Sequence, residues 1–161
     1  MIGREDYVTP KPGIVIKYNG TFNLDKLYKE AKNWFDDFNY RFTEKEYKEK
    51  QKAHGNEISM EFLSERNLDG YTKFRININF LMLSVKKLSK DTYTGNVRIN
   101  IISYLEFDYK ARWQYNPFKK FLFFVYNNLV IKNKIQSVYG PKLYNEVLKF
   151  EDLIKNNLGM L

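Results

Sequence analysis

The sequence predicts an α+β fold, with a single antiparallel sheet of about four to five strands packed on one face by helices. Three observations support this prediction. Apolar residues alternate with polar ones in the middle of the chain, amphipathic helical patterns flank that region, and turn-forming residues separate the segments. One helix lies near the N-terminus and two near the C-terminus. The 161 residues suit one domain with a complete core.

The N-terminal end is predicted to be irregular. Residues 1–13 form a flexible lead-in, because the prolines and glycine of residues 9–13 do not fit a regular element. The single domain then spans residues 14–161. It begins with a short strand at Ile14–Tyr18, which Asn19-Gly20 is predicted to close.

An amphipathic helix follows, with Asn23 as its N-cap and Asp25 in its first turn. Its apolar stripe, which we expect to pack into the core, comprises Leu27, Ala31, Trp34, Phe35 and Phe38. The next segment, Tyr40–Gln51, is ambiguous, because its first residues alternate as in a strand while its charged remainder has good helix propensity. The alternation favours a strand that ends in the loop around His54. A single histidine does not make a metal site.

The region from Tyr71 to Trp113 predicts two long antiparallel strands. Both contain alternating β-branched and aromatic residues, as expected for a sheet that is covered on one side. A turn centred near Ser89 and Lys90 sets the register. The predicted cross-strand pairs are Phe80–Ile99, Ile78–Ile101, Phe74–Leu105 and Lys73–Glu106.

A third strand precedes this hairpin, and its inner row is predicted to be Ile58, Met60 and Phe62. A turn centred on Asn67 would place Glu61 opposite Lys73 and Ser59 opposite Arg75. The charged residues Glu61, Lys73 and Glu106 would then form a ladder across three strands. Exposed pairs of this kind stabilise a sheet little, so we interpret the ladder as a solvated face and not as an acid–base site.

Two helices are predicted after the hairpin. Asn116 caps the first, and Pro117 occupies its first turn. One face carries Phe118, Phe121, Leu122, Val125 and Leu129, and further aromatic residues make most of its circumference apolar. Such a helix must be covered on more than one side, either by the last helix or by another chain. Gly140-Pro141 is predicted to break the chain before a terminal helix with the buried stripe Leu143, Val147, Phe150, Ile154 and Leu158, which Gly159 ends.

Composition limits the classes of function. The chain has no cysteine, which excludes disulfides, thiolate metal sites and cysteine nucleophiles. Its first residues lack the apolar core of a signal peptide, and its longest apolar run is too short to span a bilayer, so we expect a soluble, cytoplasmic protein. The net charge is +8, and residues 109–161 contain nine basic residues against three acids. There is no acid between Lys110 and Lys134.

The order of these segments resembles a family of uncharacterised small proteins known mainly from archaeal genomes. The resemblance covers most of residues 14–160, and the present chain departs from it in the first turn of the penultimate helix and in the 85–93 turn. It implies no catalytic residue, because the family carries no assigned activity. The segments that carry it are LYKEAKNWF, EKEYKEK, GNEISMEF, YTKFRI, GNVRINI, FDYKARW, FKKFLFFVYNNLVIKNKI and LYNEVLKFEDLIKNNLG.

No catalytic, metal or cofactor motif is recognisable, and carboxylate pairs such as Glu44 and Glu46 fit solvated charge, so we do not expect an enzyme. The first hypothesis is an interaction or structural protein, a subunit or accessory factor of a larger assembly, with self-association left open. The second is a protein that binds RNA or a ribonucleoprotein. Both use the same predicted contact residues, namely Lys73, Arg75, Arg98, Tyr109, Lys110, Arg112, Trp113, Tyr115, Lys119, Lys120, Lys132 and Lys134.

A third hypothesis is a small-molecule carrier. The order of strand, helix, strands and helix is compatible with helix-grip folds, in which a curved sheet and a helix laid across it leave an apolar cavity. This hypothesis depends on analogy of fold alone.

Overall fold

A computed structural model describes residues 4–161 and shows an α+β protein with one antiparallel sheet of six strands. The α+β class and the single antiparallel sheet are therefore confirmed, with six strands in place of four to five. The strands are β1 (Glu5–Tyr7), β2 (Ile14–Asn23), β3 (Arg41–Lys50), β4 (Asn56–Asn67), β5 (Thr72–Lys87) and β6 (Thr92–Phe107). The α-helices are α1 (Leu24–Asp37), α2 (Pro117–Val125), α3 (Lys132–Lys134) and α4 (Gly140–Asn157), with π-helical segments at Tyr126–Ile131 and Ile135–Tyr139.

The strands lie in the order β1-β6-β5-β4-β3, and β2 pairs with the same edge of β6 as β1. The additional strand, β1, lies inside the predicted lead-in. The prediction of irregular structure is thus wrong for Glu5–Tyr7, because their backbone pairs with Tyr104–Glu106. Residues 1–3 of that lead-in lie outside the described residues. Strand β2 also continues past Gly20, which has a positive φ of 156°, pairs with Gly95 and does not form the predicted turn.

The predicted register of the central hairpin is confirmed. Phe80 lies opposite Ile99, and Lys73 lies opposite Glu106. The even-numbered residues of β5 and the odd-numbered residues of β6 form the inner face of the sheet, and most of them are fully buried. A shift by one residue would have exposed this entire row to water, which is why the sequence determines the register so strongly.

The predicted register between β4 and β5 is wrong. Glu61 lies opposite Asn79 and not Lys73, and Arg75 lies opposite Glu65. The turn is centred on Gly70. The carboxylate of Asp69 fixes it by accepting hydrogen bonds from the backbone amides of Tyr71 and Thr72, at 2.8 and 2.6 Å. The displacement is an even number of residues, so the predicted inner row of β4 is still buried.

Helices α1 and α4 cover the inner face of the sheet. The predicted stripe of α1 is buried from Leu27 to Phe35, and Asn23 caps the helix by accepting a hydrogen bond from the Lys26 amide at 2.8 Å. The predicted stripe of α4 is also buried, and Phe150 lies 4.9 Å from Phe35 between ring centroids. The Tyr40–Gln51 segment contains strand β3, as its alternation favoured.

Three side chains form a buried polar network beneath the sheet edge. Glu146 of α4 is 7% exposed, and its carboxylate accepts hydrogen bonds from Tyr40 at 2.6 Å and from Arg66 at 3.0 Å. The Arg66 guanidinium also donates to the carbonyl of Phe38 at 2.7 Å and lies over the Tyr40 ring. Burial, followed by the hydrogen bond to Glu146, raises the pKa of the Tyr40 hydroxyl well above its usual value.

The C-terminal helices follow one another without a break. Gly140 has helical dihedral angles (φ −58°, ψ −56°), so the predicted break at Gly140-Pro141 is wrong. The preceding turns from Ile135 to Tyr139 are π-helical, and Pro141 falls in the first turn of α4, where a missing amide is tolerated. No helix among the described residues is long and apolar enough to cross a membrane.

Candidate interaction surface

Residues 109–139, which we call the basic-aromatic segment, follow directly from the end of β6. Asp108 fixes the start of this segment. It is 2% exposed, has a positive φ of 50°, and its carboxylate accepts hydrogen bonds from the amides of Arg112 and Trp113 at 2.7 and 3.1 Å. The loop before α2 is therefore held in place, although it has no regular secondary structure.

Helix α2 begins where the sequence predicts. The side chain of Asn116 accepts a hydrogen bond from the Lys119 amide at 2.8 Å, and Pro117 is in the first turn. None of the nine residues of α2 is buried. Phe118 and Phe121 are 68% and 59% exposed, and Leu129 in the next segment is 78% exposed. The sequence predicted that either the last helix or another chain covers this face. Among the described residues the last helix does not cover it, because the apolar stripe of α4 packs on α1 and the sheet.

The opposite side of this helix attaches it to the sheet. Phe123 and Tyr126 both contact the ring of Tyr71, at 6.2 and 5.1 Å between centroids, and Tyr126 stacks nearly parallel to Trp113. The π-helical turn brings Asn127 into the core, where its side-chain oxygen accepts a hydrogen bond from the Tyr71 hydroxyl at 2.7 Å. Burial raises the pKa of that hydroxyl, which therefore remains a neutral donor at physiological pH.

The exposed side of the segment is basic. Lys119, Lys120, Lys132 and Lys134 are all exposed, as are Lys110 and Arg112. Lys119 lies over the ring of the exposed Tyr115 at 6.0 Å from its centroid, and Lys134 lies over Tyr139 at 5.0 Å. Exposed cations thus occur before, within and after α2 along the chain, with no acidic residue between Lys110 and Lys134.

The predicted contact residues on the sheet are arranged differently. Lys73 and Arg75 lie on the outer face of the sheet. The Glu65 carboxylate forms ion pairs with both, 3.4 Å from the Lys73 ammonium and 3.3 Å from the Arg75 guanidinium, and Arg75 also pairs with Glu106. The register error hid this pairing, because it placed Glu65 away from both cations. These two positive charges are largely neutralised by their neighbours.

The remaining predicted residues lie at opposite ends of the sheet. Tyr109 joins the basic-aromatic segment to the sheet, because Lys73 lies 4.7 Å from the centre of its ring and its hydroxyl donates to the carbonyl of Asp69. Arg98 is exposed and lies eight residues along β6 from Glu106, which corresponds to about 27 Å at the rise of an antiparallel strand. Arg98 is therefore not part of the same surface.

A scan against protein-family models and searches of the curated proteins and of the solved structures found no match to this chain.

Proposed function

We propose that this chain is a non-enzymatic interaction protein of the cytoplasm, which binds an acid-rimmed apolar groove of a partner protein through the basic-aromatic segment. It would serve as a subunit or accessory factor of a larger assembly. The observation that carries the proposal is the exposure of Phe118, Phe121 and Leu129 on a helical segment whose only charged residues are basic. The resemblance to small archaeal proteins remains a prediction beside it.

The hydrophobic effect favours burial of these three exposed side chains against a partner. Complete burial of a phenylalanine or leucine side chain contributes about 1.5–3 kcal/mol, so three such residues provide a substantial driving force for association. An apolar centre with a polar rim is the usual anatomy of a protein interface, and aromatic anchors carry most of the binding free energy there. A helix that presents residues three and four apart, such as Phe118 and Phe121, suits a groove on the partner.

The charge of the segment defines the partner. The six exposed cations of this segment have no acid among them in the sequence, so an acidic rim on the partner would complement them. RNA would satisfy the cations and stack on the aromatic rings. It would leave Leu129 and Val130, which are 78% and 64% exposed, without apolar cover, so the aliphatic exposure favours a protein.

Site-specific photo-crosslinking in the source cells tests the proposal. We expect p-benzoylphenylalanine at position 121 to capture a protein, while the same group at Leu88, which is also exposed (60%), captures no such species. The product should resist ribonuclease and be destroyed by protease. A ribonuclease-sensitive product at position 121 would support the RNA hypothesis instead.

Reconstitution with the captured protein then measures the interface. Phe121→Ser should weaken binding at least about thirtyfold, as expected for a central aromatic anchor. Lys119→Glu with Lys120→Glu should chiefly slow association, while the matched change Lys86→Glu with Lys87→Glu, at two adjacent exposed lysines elsewhere, should not. Light scattering that shows a strict monomer, together with no captured protein, would contradict the proposal.

A further inference from the structure

A second surface lies at the open end of the sheet, away from the basic-aromatic segment. There the N-terminus of α1, strand β3 and the turn between β5 and β6 enclose a cleft of about 290 Å³. Three aromatic rings and three carboxylates line it: Tyr28, Tyr47, Tyr93, Asp25, Glu44 and Asp91.

A β-bulge in β3 creates this arrangement. Glu44 pairs with Phe62 and Tyr47 pairs with Met60, so both point to the inner face although they are three residues apart. The additional residue between Glu44 and Glu46 shifts the alternation and directs the Tyr47 ring into the cleft. The two side chains would lie on opposite faces of a regular strand.

The rings are held apart around an open space. Tyr28 packs edge-on against Phe42 at 6.1 Å, and Tyr93 stacks on Phe22 at 6.2 Å between centroids. Tyr47 is 50% exposed on the other wall, and no two of these three tyrosine rings contact each other among the described residues. Phe22 covers one face of the Tyr93 ring, and all three tyrosines contribute surface to the lining of the cleft.

The hydroxyls are already engaged by carboxylates. Tyr28 donates to Glu44 at 3.4 Å and Tyr47 donates to Glu49 at 3.2 Å. Burial, followed by these carboxylates, raises the pKa of both hydroxyls, so both rings are neutral at physiological pH. What the cleft offers to a ligand is thus aromatic surface and negative charge.

Local charge favours a cation in the cleft. Lys29 pairs with Asp25, with 2.7 Å between ammonium and carboxylate, and its charge also acts on Asp91, whereas Glu44 forms no ion pair among the described residues. The positive pole of α1 also faces this region, but Asn23 caps it, so the helix end provides little for an anion.

We propose that this cleft binds a methylated ammonium group, independently of the proposed function. Ring faces attract such cations through their quadrupole, and cages of several aromatic rings are the usual sites for quaternary ammonium ligands. A volume of 290 Å³ is at the lower end for ligand sites, which suits a single headgroup or side-chain terminus. Tyr28, Tyr47 and Tyr93 supply the ring faces, and Glu44 and Asp91 supply the countercharge.

Methionine-methyl NMR tests this proposal. Met60 lines the cleft and is 6% exposed, so its methyl signal reports on binding. Met160 does not line the cleft and is 40% exposed, so its signal is the internal control. We expect the Met60 methyl signal to shift saturably with tetramethylammonium chloride and not with sodium chloride at equal ionic strength. Choline should bind about tenfold more tightly than its neutral analogue 3,3-dimethylbutan-1-ol, because only the cation gains the ring attraction.

Variants at the exposed Tyr47 distinguish the contribution of its ring to binding from that of its hydroxyl. Tyr47→Phe should keep the affinity for tetramethylammonium within about twofold, and Tyr47→Leu should lower it about tenfold. Comparison of choline with a peptide that contains trimethyl-lysine identifies the source of the group, and binding of either supports the site. Equal affinity for the neutral analogue, an unchanged Tyr47→Leu variant, or no saturable Met60 shift would overturn the proposal.

Discussion

Glu146 shows how much a single buried side chain contributes to this fold. Its two carboxylate oxygens connect α4 to Tyr40 at the start of the β3 region and to Arg66 at the end of β4. The sequence offers one signal for this role. Glu146 lies three residues after Leu143 and next to Val147, inside an apolar helical stripe where a carboxylate needs a partner. The identity of that partner depends on packing between distant segments, which periodicity does not reveal.

Glu146→Ala should destabilise the protein by about 3–5 kcal/mol, because the Arg66 side chain, which is only 16% exposed, and the buried Tyr40 hydroxyl would both lose their partner. Urea denaturation monitored by circular dichroism measures this effect. Glu151→Ala, which removes a more exposed ion pair with Lys155, is the control and should cost about 0–1 kcal/mol. Replacing the charged pair, as in Arg66→Met with Glu146→Leu, should recover part of the loss, because the Tyr40 hydroxyl would still lack its acceptor. Equal effects of the Glu146 and Glu151 changes would contradict this account.

The raised pKa of Tyr40 predicts a loss of stability at high pH. Above the usual tyrosine pKa of about 10, the unfolded chain releases the proton while the folded protein retains it, so the free energy of unfolding falls as pH rises. Below that pH the contribution is fully present. Denaturation midpoints at pH 9 and pH 11 should therefore differ less in Tyr40→Phe than in the wild type. Identical differences would show that Tyr40 does not contribute.

At the level of the strands, β5 bends where its pairing with β6 shifts between Leu83 and Lys86. Ser84 has a positive φ of 55° there, and two glycines approach this part of β5, Gly55 from the residue before β4 and Gly95 from β6. A Cβ atom at Gly55 would lie 2.7 Å from the carbonyl carbon of Ser84, and one at Gly95 would lie 3.0 Å from the carbonyl oxygen of Leu83. The bulge therefore requires small residues on both sides.

Gly55→Ala should destabilise the protein by about 1–3 kcal/mol, because Gly55 has a φ of 122° and the added methyl group meets backbone atoms that move little. Gly70→Ala is the matched control, since a Cβ there meets nothing within 4 Å. We expect it to be neutral or slightly stabilising. Thermal unfolding of both variants provides the comparison, and a tolerated Gly55→Ala would refute the close approach.

The predictability of each element depended on how local its determinants are. The β5–β6 register was predictable because a long alternating apolar row fixes its parity and the turn lies near the centre of the loop. The β4–β5 register was not, because the Asp69 side chain shifts the turn by hydrogen bonds that alternation does not encode. Helix continuity through Gly140-Pro141 also escaped prediction, since π-helical turns have no clear sequence signal.

For the molecule as a whole, the helices divide into a packed part and an exposed part. Helix α4 contributes its whole apolar stripe to the core, whereas α2 contributes no buried residue. The basic-aromatic segment could be predicted, because its residues are neighbours in the chain. The aromatic–acidic cleft could not, because residues between 25 and 93 come together only through a bulge and a distant turn.

This division predicts different effects of removing phenylalanines. Phe121→Ser should change the free energy of unfolding by less than about 0.5 kcal/mol, since the side chain is 59% exposed. Phe150→Ala should cost about 3–5 kcal/mol, because that ring is fully buried. Chemical denaturation measures both. A large destabilisation by Phe121→Ser would mean that α2 belongs to the core.

Hydrogen exchange of the purified chain, with and without the crosslinked partner protein, tests the central claim most directly. In the free chain, amides of Pro117–Val125 should exchange much faster than those of Gly140–Asn157, because only the second helix is anchored by buried side chains. Addition of the partner should slow exchange in Pro117–Val125 and leave Thr72–Lys87 unchanged. Slow exchange of Pro117–Val125 in the free chain, or partner protection confined to other segments, would contradict the account.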